Sequence, residues 1–266
     1  MSPTQDQKAA DFRALHEGEA FLIPNPWDAG SARILEALGF KALASTSSGF
    51  AFTLGRLDGG ATLEDVLDHI RALDRATSLP VSADLENGYG PDPEDAAEVI
   101  AGAAEAGAVG GSIEDYERDG GIYELARAVE RVGAACEAAG RLGCPFMVTA
   151  RAENHIRGNP DLADTIARLQ AYEGAGADVL YAPGLRSGDE IRAVCDATSK
   201  PLNVLARPDL SMHEIARAGG RRISVGGALT WVAVNAMVTV AKEMRDDGDF
   251  SSLDVPLHIE EWRGNS

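Results

Sequence analysis

Short apolar runs alternate with longer amphipathic stretches along nearly the whole chain. The runs are "AFLIPN" (20–25), "KALAST" (41–46), "PVSADLE" (80–86), "VGGSIED" (109–115), "FMVTAR" (146–151), "DVLYAP" (178–183), "PLNVLA" (201–206) and "RISVGG" (222–227). Each is short and bounded by turn residues, as a buried strand is. Between them, stretches such as "TLEDVLDHIRALDRAT" (62–77), "PEDAAEVIAGAAEAG" (93–107) and "DLADTIARLQAYEGAG" (161–176) carry apolar residues at helical spacing. Four helix ends repeat one phrase, in "EALGFKAL", "EAGAVGGS", "EGAGADVL" and "RAGGRRIS". A glycine stops the helix and a strand follows at once. Eight strands, each followed by a helix, predict a single α/β domain over 1–266. It is a closed parallel (β/α)8 barrel with its core at about 20–247, preceded by a short N-terminal helix.

In such a barrel the functional residues lie where the strands end. Strand one ends in Asn25-Pro26-Trp27-Asp28, strand two in Thr46-Ser47-Ser48-Gly49-Phe50 and strand three in Asp84-Leu85-Glu86. Strand four ends in Glu114-Asp115, strand five in Arg151-Ala152-Glu153, strand six in Pro183-Gly184, strand seven in Ala206-Arg207 and strand eight in Gly226-Gly227. Asp84, Glu86, Glu114, Asp115 and Glu153 therefore converge at one mouth, with Asp58 placed to join them from the loop after strand two. Crowded carboxylates raise one another's pKa, and a divalent cation resolves that repulsion. A set made only of oxygen donors suits Mg²⁺ or Mn²⁺. Each residue has a plainer reading too. Asp28 reads as a helix N-cap with Ser31 nearby, Arg151 as the ion-pair partner of Glu153, and Arg207 as that of Asp209. Gly226-Gly227 reads as close packing, and His213 as solvent-exposed.

Composition narrows the partners. The formal net charge is −18, which disfavours nucleic acid and anionic membranes. No apolar run reaches the roughly 18 residues of a membrane span. Cys136, Cys144 and Cys195 have no framework spacing, so reduced thiols in a cytoplasm are expected.

With these strand ends in place, the chain resembles the isocitrate lyase/phosphoenolpyruvate mutase superfamily. The matching pieces are "PNPWDAGSARILEALGF", "TSSGFAFTLGRLDG", "SADLENGYG", "GSIED", "VTARAE" and "PLNVLA", in order over about 25–255. The resemblance implies a Mg²⁺ site and small anionic 2-oxo or 2-hydroxy acid substrates. Asp84 would ligate the metal directly, and Asp58, Glu86 and Glu114 would hold metal-bound waters. Ser48 and Gly49, with the Phe50 amide, would bind the substrate carboxylate, and Arg151 would face the oxygen that gains charge. Arg151, Ser48 and Glu114 are thus the expected catalytic groups. Asp84, Asn203 and Arg207 are further candidates for substrate contact, with Arg207 placed for a second carboxylate. Family members commonly form tetramers that exchange their last helices. A homo-oligomer, dimer or tetramer, is expected here, with the apolar helix 230–244 either swapped or packed on its own barrel wall.

One departure directs the choice of reaction. Lyases of this family carry a Lys-Lys-Cys-Gly-His loop after strand four, whose Cys is an acid or base. Here that stretch reads "EDYERDGGIYELARAVERV". It reads as a short solvated turn, with Tyr116, Arg118 and Asp119 available as the stub of a lid. Cleaving isocitrate or 2-methylisocitrate needs an acid at the departing carbanion. Decarboxylating an oxaloacetate-like 2-oxo acid through a metal-chelated enolate needs none before the bond breaks. A Mg²⁺-dependent decarboxylase is therefore the expected function. The alternatives are P–C bond chemistry on a phosphonopyruvate-like substrate and a non-catalytic barrel that binds a 2-oxo acid.

Overall fold

A computed structural model describes residues 3–256 of the chain. Residues 1–2 and 257–266, the ends of the expected 1–266 domain, lie outside the described residues. In chain order the strands are β1 (Phe21–Ile23), β2 (Leu43–Ala44), β3 (Val81–Asp84), β4 (Gly110–Glu114), β5 (Tyr116–Glu117), β6 (Gly121–Ile122), β7 (Met147–Arg151), β8 (Val179–Tyr181), β9 (Leu202–Leu205) and β10 (Arg222–Ser224). Eight of them pair in parallel in the order β2-β3-β4-β7-β8-β9-β10-β1. The Ala44 amide donates to the Pro24 carbonyl at 3.1 Å and brings β1 beside β2, so the barrel is nearly closed. All eight barrel strands fall within the apolar runs read from the sequence.

Helix α1 (Gln5–Glu17) starts from a capping box made by Thr4 and Gln7. Its Phe12 is fully buried and packs with Phe21, Ile23, Val109, Met147 and Val179. Four of these residues start or precede a strand, so α1 closes the N-terminal end of the barrel. That leaves the opposite end free for a site. Helix α2 (Ala29–Ala37) is capped by Asp28 and Ser31 in a reciprocal box, as the sequence suggests.

Two segments differ from the sequence expectation, and a third decides between two readings of it. "TSSGF" is the first turn of helix α3 (Ser47–Thr53), capped by Thr46. The stretch expected as a solvated turn is the β5–β6 antiparallel hairpin. Helix α10 (Ala228–Asp247) does not lie flat on its own barrel wall, since only Thr230 along it is buried. Trp231, Val232 and Met237 stand exposed at 44%, 68% and 60%. No helix among the described residues is long and apolar enough to cross a membrane.

Candidate active site at the C-terminal mouth of the barrel

Strand β3 ends at Asp84, and the turn after it is conformationally costly. Glu86 and Tyr89 adopt φ of 48° and 62°, and Gly88 adopts 87°. A side chain in the left-handed region costs of order 1–3 kcal/mol and persists where the surroundings over-determine it. The surroundings here are specific. The Glu114 amide donates to the Glu86 carbonyl at 2.9 Å, and the Tyr89 hydroxyl donates to Glu86 Oε1 at 3.1 Å. The turn thereby aims the Glu86 carboxylate into the mouth.

Asp84 is fixed from β2 and α3. Its amide donates to Ser45 Oγ at 2.8 Å, and its Oδ2 accepts from the Ser47 amide at 3.0 Å. Arg151, the last residue of β7, sits between the acids. Its Nη1 lies 3.4 Å from Glu114 Oε2 and 3.9 Å from Asp84 Oδ1, and its Nε donates to Glu153 Oε1. Its guanidinium lies 5.3 Å from the centre of the Tyr181 ring. Burial works against the Arg151 charge, but Glu114, Glu153 and Asp84 together hold its pKa well above the ordinary value.

Two cavities meet at Arg151. The larger, about 470 Å³, is lined among others by Asp58, Glu86, Glu114, Tyr116, Arg151 and Arg157. The smaller, about 60 Å³, lies deeper in the barrel, against Asp84, Ser112, Tyr181, Asn203 and Arg222. Hairpin β5–β6 borders the larger one. Its Arg118 donates to the Asp58 carbonyl, tying the hairpin to the loop after α3.

The acids of the mouth are strained electrostatically as well. Burial, reinforced by the Asp84 charge, pushes Glu86 up to about 7. Burial pushes Glu114 up to about 8, with Arg151 pulling against it. Groups perturbed in this way by burial and specific charges mark functional sites. Among the described residues no three metal-ligating side chains are gathered tightly enough to grip one ion directly. The mouth acids Asp58, Asp84, Glu86 and Glu114 offer oxygen donors alone, a set that suits a hard cation such as Mg²⁺.

The expected residues divide clearly. Asp58, Asp84, Glu86, Glu114 and Arg151 converge. Asp115 turns away, accepting from Arg168 Nη1 at 3.1 Å, from the Glu153 amide at 2.7 Å and from the Tyr172 hydroxyl. Glu153 is fully buried and serves as an ion-pair partner of both Arg151 and Arg157. Phe50 requires a correction. Its amide closes the first turn of α3 on the Thr46 carbonyl at 3.0 Å, so it is not free for substrate, and its ring stacks on His69 at 4.0 Å. Arg207 requires another. It is a partly exposed residue paired with Asp209 at 2.9 and 3.1 Å, outside both cavities, because the segment after β9 folds into a local turn. Asn203 is buried and bonded to Ser224 and Arg222 in the barrel interior. Ser48 and Gly49 sit in the first turn of α3 beside Asp84's partner Ser47, but neither lines either of these two cavities. A Cβ on Gly49 would meet Thr230 Oγ1 at 2.5 Å, so this glycine serves packing. Gly227 packs the same way against Ser48 and Trp231. His213 is exposed. The Cys136 and Cys195 thiols are pushed up by burial to about 12 and about 11, far from nucleophilic.

Sequence reasoning missed Tyr89, Arg157 and Tyr181, and it placed Tyr116 only as the stub of a lid. Tyr89 and Tyr181 lie within "SADLENGYG" and "DVLYAP", where an aromatic residue reads equally well as core packing.

The phosphoenolpyruvate phosphomutase family model matches residues 12–245. The chain belongs to this family. It lies within the isocitrate lyase/phosphoenolpyruvate mutase superfamily, whose members are lyases and mutases. An oxaloacetate decarboxylase of Bradyrhizobium sp. strain BTAi1 is 31% identical over 247 residues, covering 88% of this chain and 84% of that one. A Burkholderia cenocepacia J2315 protein provisionally described as a lyase/mutase has a crystal structure that superposes with a TM-score of 0.93. It is 51% identical, over 97% of this chain and 95% of that one. A phosphonopyruvate hydrolase solved with oxalate and Mg²⁺ superposes with a TM-score of 0.85 at 25% identity, over 97% and 95% of the two chains.

Proposed function

We propose that this member of the family is a Mg²⁺- or Mn²⁺-dependent decarboxylase of a small 2-oxo dicarboxylic acid of the oxaloacetate type. The observation that carries the reading is Arg151, half-buried between Asp84 and Glu114 at the cavity mouth. The likeness to oxaloacetate decarboxylases and to a Mg²⁺-bound phosphonopyruvate hydrolase supports it. Asp84, with Asp58, Glu86 and Glu114 acting through water, would hold the cation. When bound there, the ion supplies Lewis-acid stabilisation of negative charge.

The chain's own residues do the rest. Substrate carboxylate oxygens approach beside Asp84, near Ser47 at the start of α3. As CO₂ departs, the electron pair of the broken C–C bond passes into an enolate. Arg151 donates toward the oxygen where that charge develops, and a preorganised donor of this kind is worth about 10²–10³ in kcat. Glu153 keeps Arg151 in place. Water supplies the proton that returns the enolate to the ketone, so no thiol is required. The exposed apolar side chains of α10 support a homo-oligomer in which a second copy covers that helix.

The test is pyruvate release from oxaloacetate by purified protein with Mg²⁺ and then with EDTA, each against the metal-catalysed background. EDTA-sensitive turnover well above background is expected. Its absence, with the protein folded and Mg²⁺ bound, would refute the decarboxylase. The likeness to phosphonopyruvate hydrolase makes phosphonopyruvate the second substrate to try.

A further inference from the structure

Arg157 lines the 470 Å³ cavity with Arg151 and the mouth carboxylates. It is held on two sides. Its Nε donates to Glu153 Oε2 at 2.9 Å, and its guanidinium lies 3.8 Å from the centre of the Tyr116 ring in the hairpin. Among the described residues neither of its Nη groups has a hydrogen-bond partner. Its charge still acts on Glu114. A planar fork with two free donors, fixed by a buried carboxylate and an aromatic face, is a preorganised receptor for a carboxylate.

Which carboxylate it takes follows from the chemistry, given the decarboxylase reading on which this step rests. A guanidinium on the departing carboxylate would stabilise a charge that vanishes as CO₂ forms. Such binding favours the ground state over the transition state and lowers kcat. The anion held by Arg157 must therefore stay with the enolate. The cavity of about 470 Å³ also leaves space beside Arg151 for such a branch. We propose that Arg157 selects 2-oxo acids that carry a second, retained carboxylate on a C3 branch, in preference to unsubstituted oxaloacetate. The C3–carboxylate bond breaks, CO₂ leaves, the electron pair enters the enolate, water returns a proton to C3, and the branch carboxylate remains on Arg157.

The probes are two matched pairs. Oxalosuccinate is oxaloacetate with a carboxymethyl arm on C3. 2-Oxoglutarate is pyruvate with the same arm, and it cannot lose CO₂ by this route. The parent protein should turn over oxalosuccinate with a kcat/KM at least tenfold above that for oxaloacetate. Arg157→Met should collapse that ratio, chiefly through KM, and Arg157→Lys should recover only part of it. With Mg²⁺ present, calorimetry should show 2-oxoglutarate binding at least tenfold tighter than pyruvate, with the difference lost in Arg157→Met. Equal binding of the two by the parent protein, or an undiminished difference in a folded Arg157→Met, would overturn the proposal. No turnover of any 2-oxo acid alongside a retained binding difference would refute the decarboxylase and leave Arg157 as the reader of the branch.

Discussion

Replacing Arg151 with Lys tests the centre of the mechanism. Arg151 meets Glu153 through Nε and Glu114 and Asp84 through Nη1, at 3.4 and 3.9 Å for the latter two. An ammonium is a point charge and can satisfy one of these acids well, not all. Glu153 retains Arg157 at 2.9 Å, so it is not left unpaired in the interior. The stability cost is then that of one charge-assisted hydrogen bond, about 1.5–3 kcal/mol. For a chain of this size that lowers Tm by about 3–12 °C. The kinetic cost is larger. A donor aimed at the developing enolate oxygen is worth about 2.7–4 kcal/mol, so kcat should fall about 10²–10³-fold. Steady-state pyruvate release at saturating oxaloacetate and Mg²⁺, paired with a thermal melt, measures both. A folded variant with kcat within twofold of the parent would remove Arg151 from the chemistry.

Asp84→Ala should abolish EDTA-sensitive turnover while the fold persists, and full activity in that variant would sink the metal assignment. Burial pushes Glu86 up to about 7 and Glu114 up to about 8 in the metal-free fold, from 4.5. The native state thus holds more protons than the unfolded chain between about pH 4.5 and 8, so metal-free stability should fall as pH rises through that window. Melts from pH 5 to 9 check this, and a flat profile would contradict the buried protonated acids. Mg²⁺ binding at pH 7 should correspondingly release protons, seen as calorimetric heats that depend on the buffer's ionisation enthalpy. Gly49→Ala should cost about 1–3 kcal/mol, because its Cβ lands 2.5 Å from Thr230 Oγ1 and 2.7 Å from Thr46 Cγ2. Cys136→Ser should leave kcat unchanged, and a folded but inactive variant would show that a thiol takes part after all.

The barrel was legible because its signal is periodic and repeated. Eight apolar runs, four of them following one glycine-stopped helix phrase, leave few other topologies. Asp84, Glu86 and Glu114 could be read as neighbours because strand ends share one face of this fold. Finer placement was not legible, since it depends on which way each side chain turns. Glu114 and Asp115 are consecutive, yet one lines the mouth and the other is bound by Arg168 and Tyr172 away from it. Arg207 followed a strand end as Arg151 did, but a local turn gave it to Asp209. Arg157 stood six residues beyond a strand end in a polar loop, where only the fold brings it over Tyr116.

Glu153 has a consequence for how such a site can change over generations. One buried carboxylate holds both the arginine beside the acids of the mouth and the arginine facing the open cavity. A substitution at 157 that retunes substrate choice also frees half of the anchor of Arg151. Selectivity and turnover in this lineage would then not drift independently. A successful change of diet should arrive with a compensating change near Glu153 or in the hairpin that carries Tyr116.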